Sequence, residues 1–323
     1  MNSEPVFTLL DVERGYELGR AGWFGRPRGR LKALDGVRLE IRRGDSLAVV
    51  GESGSGKSTL IRLLLGLEPA SDGRVLYGTR DLDQLGPDER RRFAREVAFI
   101  YQNARGSMNP RMRIADILAE PIRLHRLCPE AEVAGRVAGL LARVGLAAEM
   151  AARFPNELSG GQIRRVAIAR ALAAEPRVIM ADESVAGLDV SVQAQVLNLL
   201  RGLCREAGIT LVFITHDLGV ASYLCERIAV LYLGRIVEQG PTEAILNHPR
   251  HPYTRGLMQA FPRFGAPLTA PLKGEIPSPV NLPRGCRFAG RCPQAQDPCR
   301  ASDPVLTEHA GRQVACLFPL EAA

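Results

Sequence analysis

The stretch GESGSGKS, residues 51–58, constrains the fold of this chain more than any other. It fits the pattern G-x-x-x-x-G-K-[ST], in which glycines allow backbone N–H groups to turn toward phosphate oxygens. The apolar run LAVV precedes it and the amphipathic stretch TLIRLLLGL follows, which is the strand–loop–helix order that such a loop needs. We therefore predict a nucleotide-phosphate site made by consecutive residues: Gly51, Ser53, Gly54, Ser55, Gly56, Lys57, Ser58 and Thr59.

Two side chains of this phosphate loop are predicted to have distinct tasks. Lys57 would present its ammonium charge to the β- and γ-phosphates, and the Ser58 hydroxyl would ligate Mg²⁺. A chance glycine-rich turn is the alternative interpretation. The strand–helix context argues against it, and so does the rarity of lysine, since Lys32 and Lys273 are the only other lysines of the chain.

Arginine supplies nearly all the positive charge of the chain. The 42 Lys and Arg residues outnumber the 35 Asp and Glu residues, which gives a formal net charge of +7. Such a balance would suit nucleic acid or an anionic membrane surface. However, a chain-wide preference for arginine is more typical of codon usage than of a binding surface, and no basic stretch is interleaved with aromatic residues. We expect no nucleic-acid partner.

The sequence also bears on location. No apolar stretch reaches the roughly 18 residues that a membrane-spanning helix needs. The start, MNSEPVFTLL, lacks the charged and apolar regions of a signal peptide. We expect a protein that is made and kept in the cytoplasm, where disulfides are rare.

Strand-like and helix-like patterns alternate along most of the chain. Such alternation predicts an α/β fold with a parallel sheet and helices on its faces. Between about 104 and 158, Ala, Arg and Leu at helical spacing predict a helical subdomain. From residue 249 onward the chain is rich in Pro, Gly and Cys, which predicts an irregular extension. We therefore expect one domain over residues 1–248 and a C-terminal extension over residues 249–323.

The stretch VIMADE, residues 178–183, is an apolar strand pattern that ends in two carboxylates. A strand end near a phosphate loop is the place for a carboxylate that holds Mg²⁺, which we assign to Asp182. The next residue, Glu183, would polarise an attacking water as general base. An ordinary exposed strand end is the alternative, and only the phosphate loop upstream argues against it.

A third motif, LSGGQ at residues 158–162, stands before a helical pattern. By itself it predicts either a plain helix cap or an anion-binding helix start. Between a phosphate loop and a strand ending in Asp-Glu, however, it resembles the signature of ABC-type ATPases. The resemblance implies a P-loop NTPase fold, with two ATP molecules sandwiched between two cassettes. It also implies contact with the γ-phosphate of the ATP held by the opposite subunit, through the signature residues Ser159, Gly160, Gly161 and Gln162.

The same resemblance implies roles for three further residues. Gln102, at the end of the strand pattern EVAFIYQ, matches the glutamine that senses Mg²⁺ and water and links to the membrane subunit. Asp189 matches the loop that crosses the dimer interface. His216, in FITHD, matches the histidine that reaches the γ-phosphate, although a lone histidine after a strand is more often an exposed loop residue.

Other matches to the family pattern are looser. Tyr16 matches the aromatic residue that stacks on adenine, but Trp23 and Phe24 compete for that role. Ser184 stands where the family commonly has Pro or Ala, and Ala186 begins AGLD where Ser-Ala-Leu-Asp is common. Neither departure removes a charged group. Both departures leave the hydrolysis rate open, and an inactive subunit is a separate alternative.

Four stretches indicate a more specific group within the ABC-type ATPases: YQNARGSMNPRM, SVQAQVLNLL, HPYTRGLMQAFP and GEIPSPVNLPRGCRFAGRC. They are similar to the ATP-binding subunits of dipeptide and oligopeptide importers. The resemblance implies a second, different ATPase subunit, two membrane permease subunits and a solute-binding protein. It places the chain peripherally on the cytoplasmic face of the inner membrane, with the helical insert at 104–155 against the membrane subunits. An importer of nickel or another small solute is the alternative, and a soluble ABC ATPase acting on ribosomes or DNA is a more distant one.

The extension holds four of the seven cysteines of the chain: Cys286, Cys292, Cys299 and Cys316. Their spacings of five, six and sixteen intervening residues differ from the pairs of common zinc sites. Four thiolates from an irregular segment suit an iron–sulfur cluster or Zn²⁺, and buried thiols that merely pack are the third interpretation. The resemblance adds weight to a [4Fe–4S] cluster, because some family members are thought to carry one on this tail.

Overall fold

The computed structural model of this chain describes residues 4–20, 27–182, 189–259 and 274–321. Its strands, in chain order, are β1 (Pro5–Arg20), β2 (Pro27–Arg42), β3 (Ser46–Val50), β4 (Asp72–Tyr77), β5 (Arg80–Asp81), β6 (Val97–Ile100), β7 (Val178–Asp182), β8 (Thr210–Thr215), β9 (Arg227–Tyr232), β10 (Arg235–Pro241), β11 (Thr307–His309) and β12 (Arg312–Val314). The α-helices are α1 (Lys57–Leu64), α2 (Pro87–Glu96), α3 (Ile114–Leu124), α4 (Glu130–Arg143), α5 (Gly160–Leu172), α6 (Val190–Ala207), α7 (Leu218–Leu224), α8 (Thr242–Asn247), α9 (Pro252–Gln259) and α10 (Asp297–Ala301).

The chain divides into two compact units. The first combines Met1–Gln84 with Ile214–Ala323, and the second is Leu85–Phe213. The first unit therefore includes the phosphate loop and the residues from 249 onward. The second includes the LSGGQ motif and the helical subdomain.

An antiparallel sheet of the first unit has the strand order β2-β1-β4-β5. β1 and β2 pair along most of their length, with irregularities between Pro5 and Phe7 and between Leu9 and Gly15. Phe7, Leu9 and Val12 of β1 are buried, because an alternating apolar pattern turns one face of an antiparallel strand toward the core.

A second sheet region of the first unit has the order β11-β12-β10-β9-β3. β3 runs parallel to β9, with Leu47 opposite Arg227 and Val50 opposite Val230. The four residues 47–50 are buried, as expected for a continuous apolar run in a parallel strand. β12 pairs with β10, so the C-terminal extension adds strands to this sheet.

The second unit contains the parallel pair β6 and β7, with β8 next to β7. Helices α3 and α4 follow β6, as the pattern between about 104 and 158 predicts. Their buried residues recur at helical spacing, for example Ile114, Ile117 and Leu118 on α3. In the described ranges, no helix combines the length and the apolar character that a membrane span requires.

Most elements that the sequence predicts are present. The two strands around a turn at residues 43–45, the helix after the phosphate loop and the strand that ends in Asp182 are confirmed. The strand predicted to end in Gln102 is present as β6, but it ends at Ile100. Two features were not predicted. β1 carries polar residues that obscure its alternation, and the three-residue strands β11 and β12 are too short to give a periodic pattern.

Candidate nucleotide-binding site

The phosphate loop connects β3 to α1, in the strand–helix context that its pattern requires. Gly56 caps the helix with a φ of 108°, which side chains rarely tolerate. A Cβ atom at Gly56 would lie 2.4 Å from the carbonyl oxygen of Ala33. Both conformation and space therefore require glycine at this position.

The side chains of the loop divide by exposure. Ser53 and Ser58 are exposed, whereas Ser55 and Lys57 are buried. The ammonium of Lys57 donates hydrogen bonds to the carbonyl oxygens of Gly51, at 2.8 Å, and Glu52, at 2.9 Å. Ser55 Oγ is buried without a hydrogen-bond partner among the described residues. Thr59, the last predicted residue of the set, lies in the first turn of α1.

Glu52 connects the loop to distant residues of the first unit, and sequence reasoning missed these partners. Arg291 binds the Glu52 carboxylate through both terminal nitrogens, at 2.8 and 3.0 Å. The backbone N–H of Glu52 donates to the Tyr253 hydroxyl at 3.0 Å. The hydrogen bond with Glu52 is the main cause that raises the pKa of Arg291. The only available signal was an acidic residue within a phosphate-binding loop.

In the second unit, Gln102 and Asp182 stand at the same edge of the sheet. Ile100 of β6 lies opposite Ala181 of β7 in the parallel register, so the residues just beyond them emerge side by side. Both residues line one cavity of about 960 Å³. The carboxyl ends of parallel strands are the usual place for ligand-binding residues, which agrees with the roles predicted for this pair.

Ser159 is the N-cap of α5, which confirms that LSGGQ begins a helix. Its hydroxyl accepts a hydrogen bond from the Gln162 N–H at 3.3 Å, and the Gln162 side chain accepts one from the Ser159 N–H at 2.9 Å. This reciprocal pair satisfies two N–H groups of the first helical turn. A Cβ atom at Gly161 would lie 2.8 Å from Val192 Cγ1, so glycine allows the close approach of α6. Gly160, between Ser159 and Gly161, is the first residue of α5.

Arginines tie the segment after Gln102 to the signature helix. Arg105 donates to the carbonyl oxygens of Pro155, at 2.9 Å, and Leu158, at 2.7 Å. Arg170, from α5, donates to the carbonyl oxygen of Ser107 at 2.7 Å. Burial lowers the pKa of Arg170, and nearby Tyr101 and Glu120 oppose that effect. The segment after β6 and the entry to α5 therefore form one hydrogen-bonded assembly.

Two further predicted residues lie at helix starts. His216 is exposed and precedes Asp217, whose carboxylate caps α7 by accepting from the N–H groups of Gly219 and Val220. Asp189 is the N-cap residue of α6 and is exposed. These positions do not test the roles predicted for His216 and Asp189 at the nucleotide, which stay predictions.

Tyr16 lies on β1 with its hydroxyl donating to Glu68 at 2.5 Å. The guanidinium of Arg14 lies 4.9 Å from the centre of the Tyr16 ring. Stacking of adenine on this ring is not tested by these contacts. Glu183, Trp23 and Phe24 lie outside the described residues, as do Ser184 and Ala186.

The four C-terminal cysteines influence one another electrostatically. Burial raises the pKa of the Cys316 thiol to about 11, and the charges of Cys286, Cys292 and Cys299 act in the same direction. Among the described residues, however, no group of three or more His, Cys, Asp or Glu side chains is arranged to hold a metal ion. The thiols are thus neighbours without a ligand geometry, and the predicted iron–sulfur cluster is not supported by this arrangement. The other cysteines predicted as core are buried in two cases, Cys204 and Cys225, and half-buried in the third, Cys128.

Comparisons with known proteins match two parts of the chain to described families. Residues 34–186 match the family described as ABC transporter. Residues 237–299 match the family described as Oligopeptide/dipeptide transporter, C-terminal region. The first match spans the phosphate loop, Gln102, the signature and Asp182, and the second includes Tyr253.

Two curated relatives from Escherichia coli (strain K12) extend over most of the chain. The oligopeptide transport ATP-binding protein OppF is 46% identical over 301 residues, which covers 91% of this chain and 90% of the relative. The dipeptide transport ATP-binding protein DppF is 42% identical over 316 residues, which covers 97% and 94%, respectively.

Among solved structures, the dimeric post-hydrolysis state of the ATP-binding cassette MJ0796 bound to ADP and Pi is similar. It has a TM-score of 0.64 and 31% identity, and the match covers 73% of this chain and 98% of that chain. This likeness confirms the predicted α/β fold with a phosphate loop and a signature helix.

Proposed function

The chain belongs to the ATP-binding proteins of the ABC transporter family that carry the oligopeptide/dipeptide C-terminal region, and we propose that it is the ATP-hydrolysing subunit that powers import of di- and oligopeptides through a membrane transporter. One observation carries this proposal: the phosphate loop and the peptide-transporter region stand in one chain that is 46% identical to an oligopeptide transport protein. The relatives' names refer to oligopeptides and dipeptides, which favours peptides over nickel or another small solute.

ATP is proposed to bind with its phosphates on the loop at residues 51–58. The residues suit a phosphate group: Lys57 holds a positive charge at the loop, Ser55 Oγ is buried without a partner among the described residues, and Ser53 and Ser58 are exposed. Tyr16 is proposed to stack on the adenine.

Mg²⁺, when bound, neutralises charge on the β- and γ-phosphates. Three oxygen-bearing side chains are proposed to hold it, those of Ser58, Gln102 and Asp182, because Mg²⁺ prefers oxygen ligands. The exposed hydroxyl of Ser58 and the position of Asp182 at a strand end fit this role. Glu183 is proposed as the general base for the attacking water, with Gln102 and His216 orienting groups at the γ-phosphate.

A second ATPase subunit completes the proposed site. Ser159, Gly160, Gly161 and Gln162 would contact the ATP of the partner, and Asp189 would lie in the loop that crosses between subunits. The dimeric cassette that resembles this chain supports such a pair. We further propose that the second ATPase is a different chain, and that two permease subunits and a solute-binding protein complete an assembly at the cytoplasmic face of the inner membrane.

The contact with the permease is proposed at the cavity lined by Gln102. Exposed apolar side chains stand on its wall, with Leu124 at 73% exposure and Tyr101 at 47%. Exposed apolar surface around a concave site is typical of a protein-binding surface. Because Gln102 lines the same cavity, movement of a permease segment there would act directly on a residue proposed to hold Mg²⁺.

For the C-terminal cysteines, an iron–sulfur cluster stays our proposal, with a single Zn²⁺ or packing of protonated thiols as the alternatives. The gathering of four cysteines in one extension supports this proposal, because four thiolates can hold such a cluster and a bound metal favours the thiolate forms. Anaerobic purification, a visible spectrum and assays of iron, sulfide and zinc would distinguish the three. About four irons per chain, lost on Cys292→Ser, is the expected result for a cluster.

The function is tested with the purified complex of this chain and its copurifying membrane subunits. We expect ATP hydrolysis that increases when a peptide-loaded binding protein is added, and loss of turnover in Glu183→Gln. Full turnover by the partner-free chain, with no response to the complex, would contradict coupling to transport. Turnover that survives Glu183→Gln would remove that residue from the proposed chemistry.

A further inference from the structure

The Glu52 carboxylate places a negative charge in the phosphate-binding loop. Glu52 lies between the buried Gly51 and the exposed Ser53, and its side chain is partly buried. A negative charge that is not balanced there would repel the negative charges of a nucleotide. The contacts of Glu52 indicate how the folded chain avoids this repulsion.

Arg291 balances the Glu52 charge with two parallel hydrogen bonds, at 2.8 and 3.0 Å. Such a fork fixes the orientation of a carboxylate as well as neutralising it. The side chain of Arg291 is only 5% exposed, and that of Glu52 is 24% exposed. An ion pair with this little exposure is screened much less by salt than a surface pair.

Aromatic rings hold Arg291 in place. The guanidinium lies 5.9 Å from the ring centres of both Tyr232 and Phe288. These rings pack against each other and against Tyr253, with centre distances of 4.5 Å for Tyr232–Tyr253 and 5.4 Å for Tyr253–Phe288. Tyr253 in turn accepts the hydrogen bond of the Glu52 N–H. The charge and the backbone of Glu52 are therefore fixed by one buried cluster.

The segment that carries Arg291 is anchored at a second point. Arg287 pairs with the buried carboxylate of Asp35 and donates to the carbonyl oxygen of Leu233. The residue after Leu233, Gly234, donates its N–H to the carbonyl oxygen of Ser55 at 2.8 Å. Residues 286–292 thus reach the phosphate loop directly at Glu52 and through one intervening turn at Ser55.

We propose that Arg291 is a positioning residue for nucleotide binding, which neutralises Glu52 and holds the phosphate loop in its binding shape, so that the C-terminal segment sets the nucleotide affinity of the loop. The inference rests on the proposed ATP site but not on peptide transport. It assigns a task at the nucleotide to the C-terminal region, beyond the cysteines.

The test is a charge-compensation experiment on the full-length chain, with ADP and Mg²⁺ as the probe in isothermal titration calorimetry. We expect Arg291→Ala to weaken ADP binding by about tenfold or more, because it leaves the Glu52 charge unbalanced. Glu52→Gln removes that charge, so Arg291→Ala combined with Glu52→Gln is expected to recover most of the lost affinity. Arg284→Ala, an exposed arginine of the same region, is the matched control and should bind ADP as the unchanged chain does.

The outcomes separate a positioning role from simple support of the fold. If Arg291 only stabilised the fold, the double variant would bind ADP no better than Arg291→Ala, and that result would overturn the proposal. Wild-type affinity in a folded Arg291→Ala would overturn it as well. Should Arg291→Ala fail to fold, Arg291→Lys keeps the charge without the fork. We expect it to bind ADP more weakly than the unchanged chain, and an affinity equal to that of the unchanged chain would count against the fork. Failure of the unchanged chain to bind ADP would instead contradict the proposed function.

Discussion

At the scale of single residues, the sequence of the phosphate loop is restricted by backbone conformation and by the room for side chains, as well as by charge. Gly54 and Gly56 both have positive φ, of 76° and 108°. A Cβ atom at Gly54 meets nothing within 4 Å, whereas one at Gly56 would lie 2.4 Å from the Ala33 carbonyl oxygen. A side chain at Gly54 would therefore cause backbone strain alone, whereas a side chain at Gly56 would cause backbone strain and a steric clash.

We predict that Gly56→Ala lowers the melting temperature more than Gly54→Ala. Gly54→Ala should cost about 1–2 kcal/mol, the usual penalty of a left-handed conformation for a residue with a Cβ atom. Gly56→Ala adds the clash with the Ala33 backbone, which cannot move aside as a flexible side chain would. Thermal unfolding of both variants without nucleotide measures the difference. Equal losses of stability would show that the loop relaxes around Gly56.

The C-terminal thiols permit a prediction about reactivity. Burial and the charges of three neighbouring thiols raise the pKa of Cys316 to about 11. Since the thiolate is the reactive form, Cys316 of the metal-free protein should react with iodoacetamide at pH 8 at least about tenfold more slowly than free cysteine. Its rate should continue to rise with pH up to about 11. Mass spectrometry of peptides after timed quenching gives the rate, and a plateau near pH 9 would contradict the raised pKa.

At the scale of elements, the sequence predicted the type of each helix or strand better than the contacts between them. The strand β3, the loop and the helix α1 follow from a local pattern of an apolar run, glycines and an amphipathic stretch. The capping pair of Ser159 and Gln162 is likewise local, because its members are three residues apart. The hydrogen bonds from Arg105 to the carbonyl oxygens before α5 are not local, and nothing in the pattern YQNARGSMNP predicts them.

Removal of the Arg105 hydrogen bonds should destabilise the start of the signature helix. Arg105→Ala leaves the carbonyl oxygens of Pro155 and Leu158 without their charged donor, at a cost of about 1.5–3 kcal/mol. We expect faster backbone hydrogen exchange over residues 155–162 in this variant. Arg111→Ala, which changes an exposed arginine of the same segment, serves as the control and should leave exchange there unchanged. Equal protection in both variants would mean that α5 holds its own N-terminus.

At the scale of the whole molecule, charged groups distant in the sequence converge within the first unit. Asp35 lies in the N-terminal part of the chain, yet it binds Arg287 of the C-terminal extension and Arg235 of β10. Glu238, which is fully buried, accepts hydrogen bonds from the backbone N–H groups of Arg250 and His251. The extension is therefore bound to the rest of the first unit by buried charges, although its composition predicted an irregular appendage.

The Asp35 cluster should make stability depend on pH in the acid range. Burial works to raise the pKa of Asp35, but the hydrogen bond from Lys32 and the charges of Arg287 and Arg235 outweigh it and lower the pKa to about 2. The stabilisation is thus present above the ordinary pKa of 3.8 and is lost as pH falls from about 4 to about 2. Unfolding by urea at several pH values between 7 and 2 measures this loss.

Asp35→Asn is the control for this pH dependence. It should be less stable than the unchanged chain at pH 7, since it leaves Arg287 buried without a carboxylate partner. Its stability should also fall less steeply below pH 4. If the two proteins lose stability in parallel over that range, other carboxylates cause the acid sensitivity.

The sequence alone determined the chemistry of this protein in outline. The phosphate loop, the signature motif and the strand that ends at Asp182 are short, contiguous patterns, and each fixes its own local structure. That local information sufficed for the fold class and for the family, and it is the basis of the proposed ATP site. Likeness to peptide importers also came from contiguous stretches.

Only the tertiary structure decided which distant residues support that site. Glu52 and Arg291 are separated by 239 residues, and the chain offers many arginines as partners for any carboxylate. Two residues this far apart meet only when the folded backbone brings them together, so no local pattern could single out Arg291. The same holds for Tyr253 and for Arg287, whose contacts depend on how β9, β10 and the C-terminal segment pack around the phosphate loop.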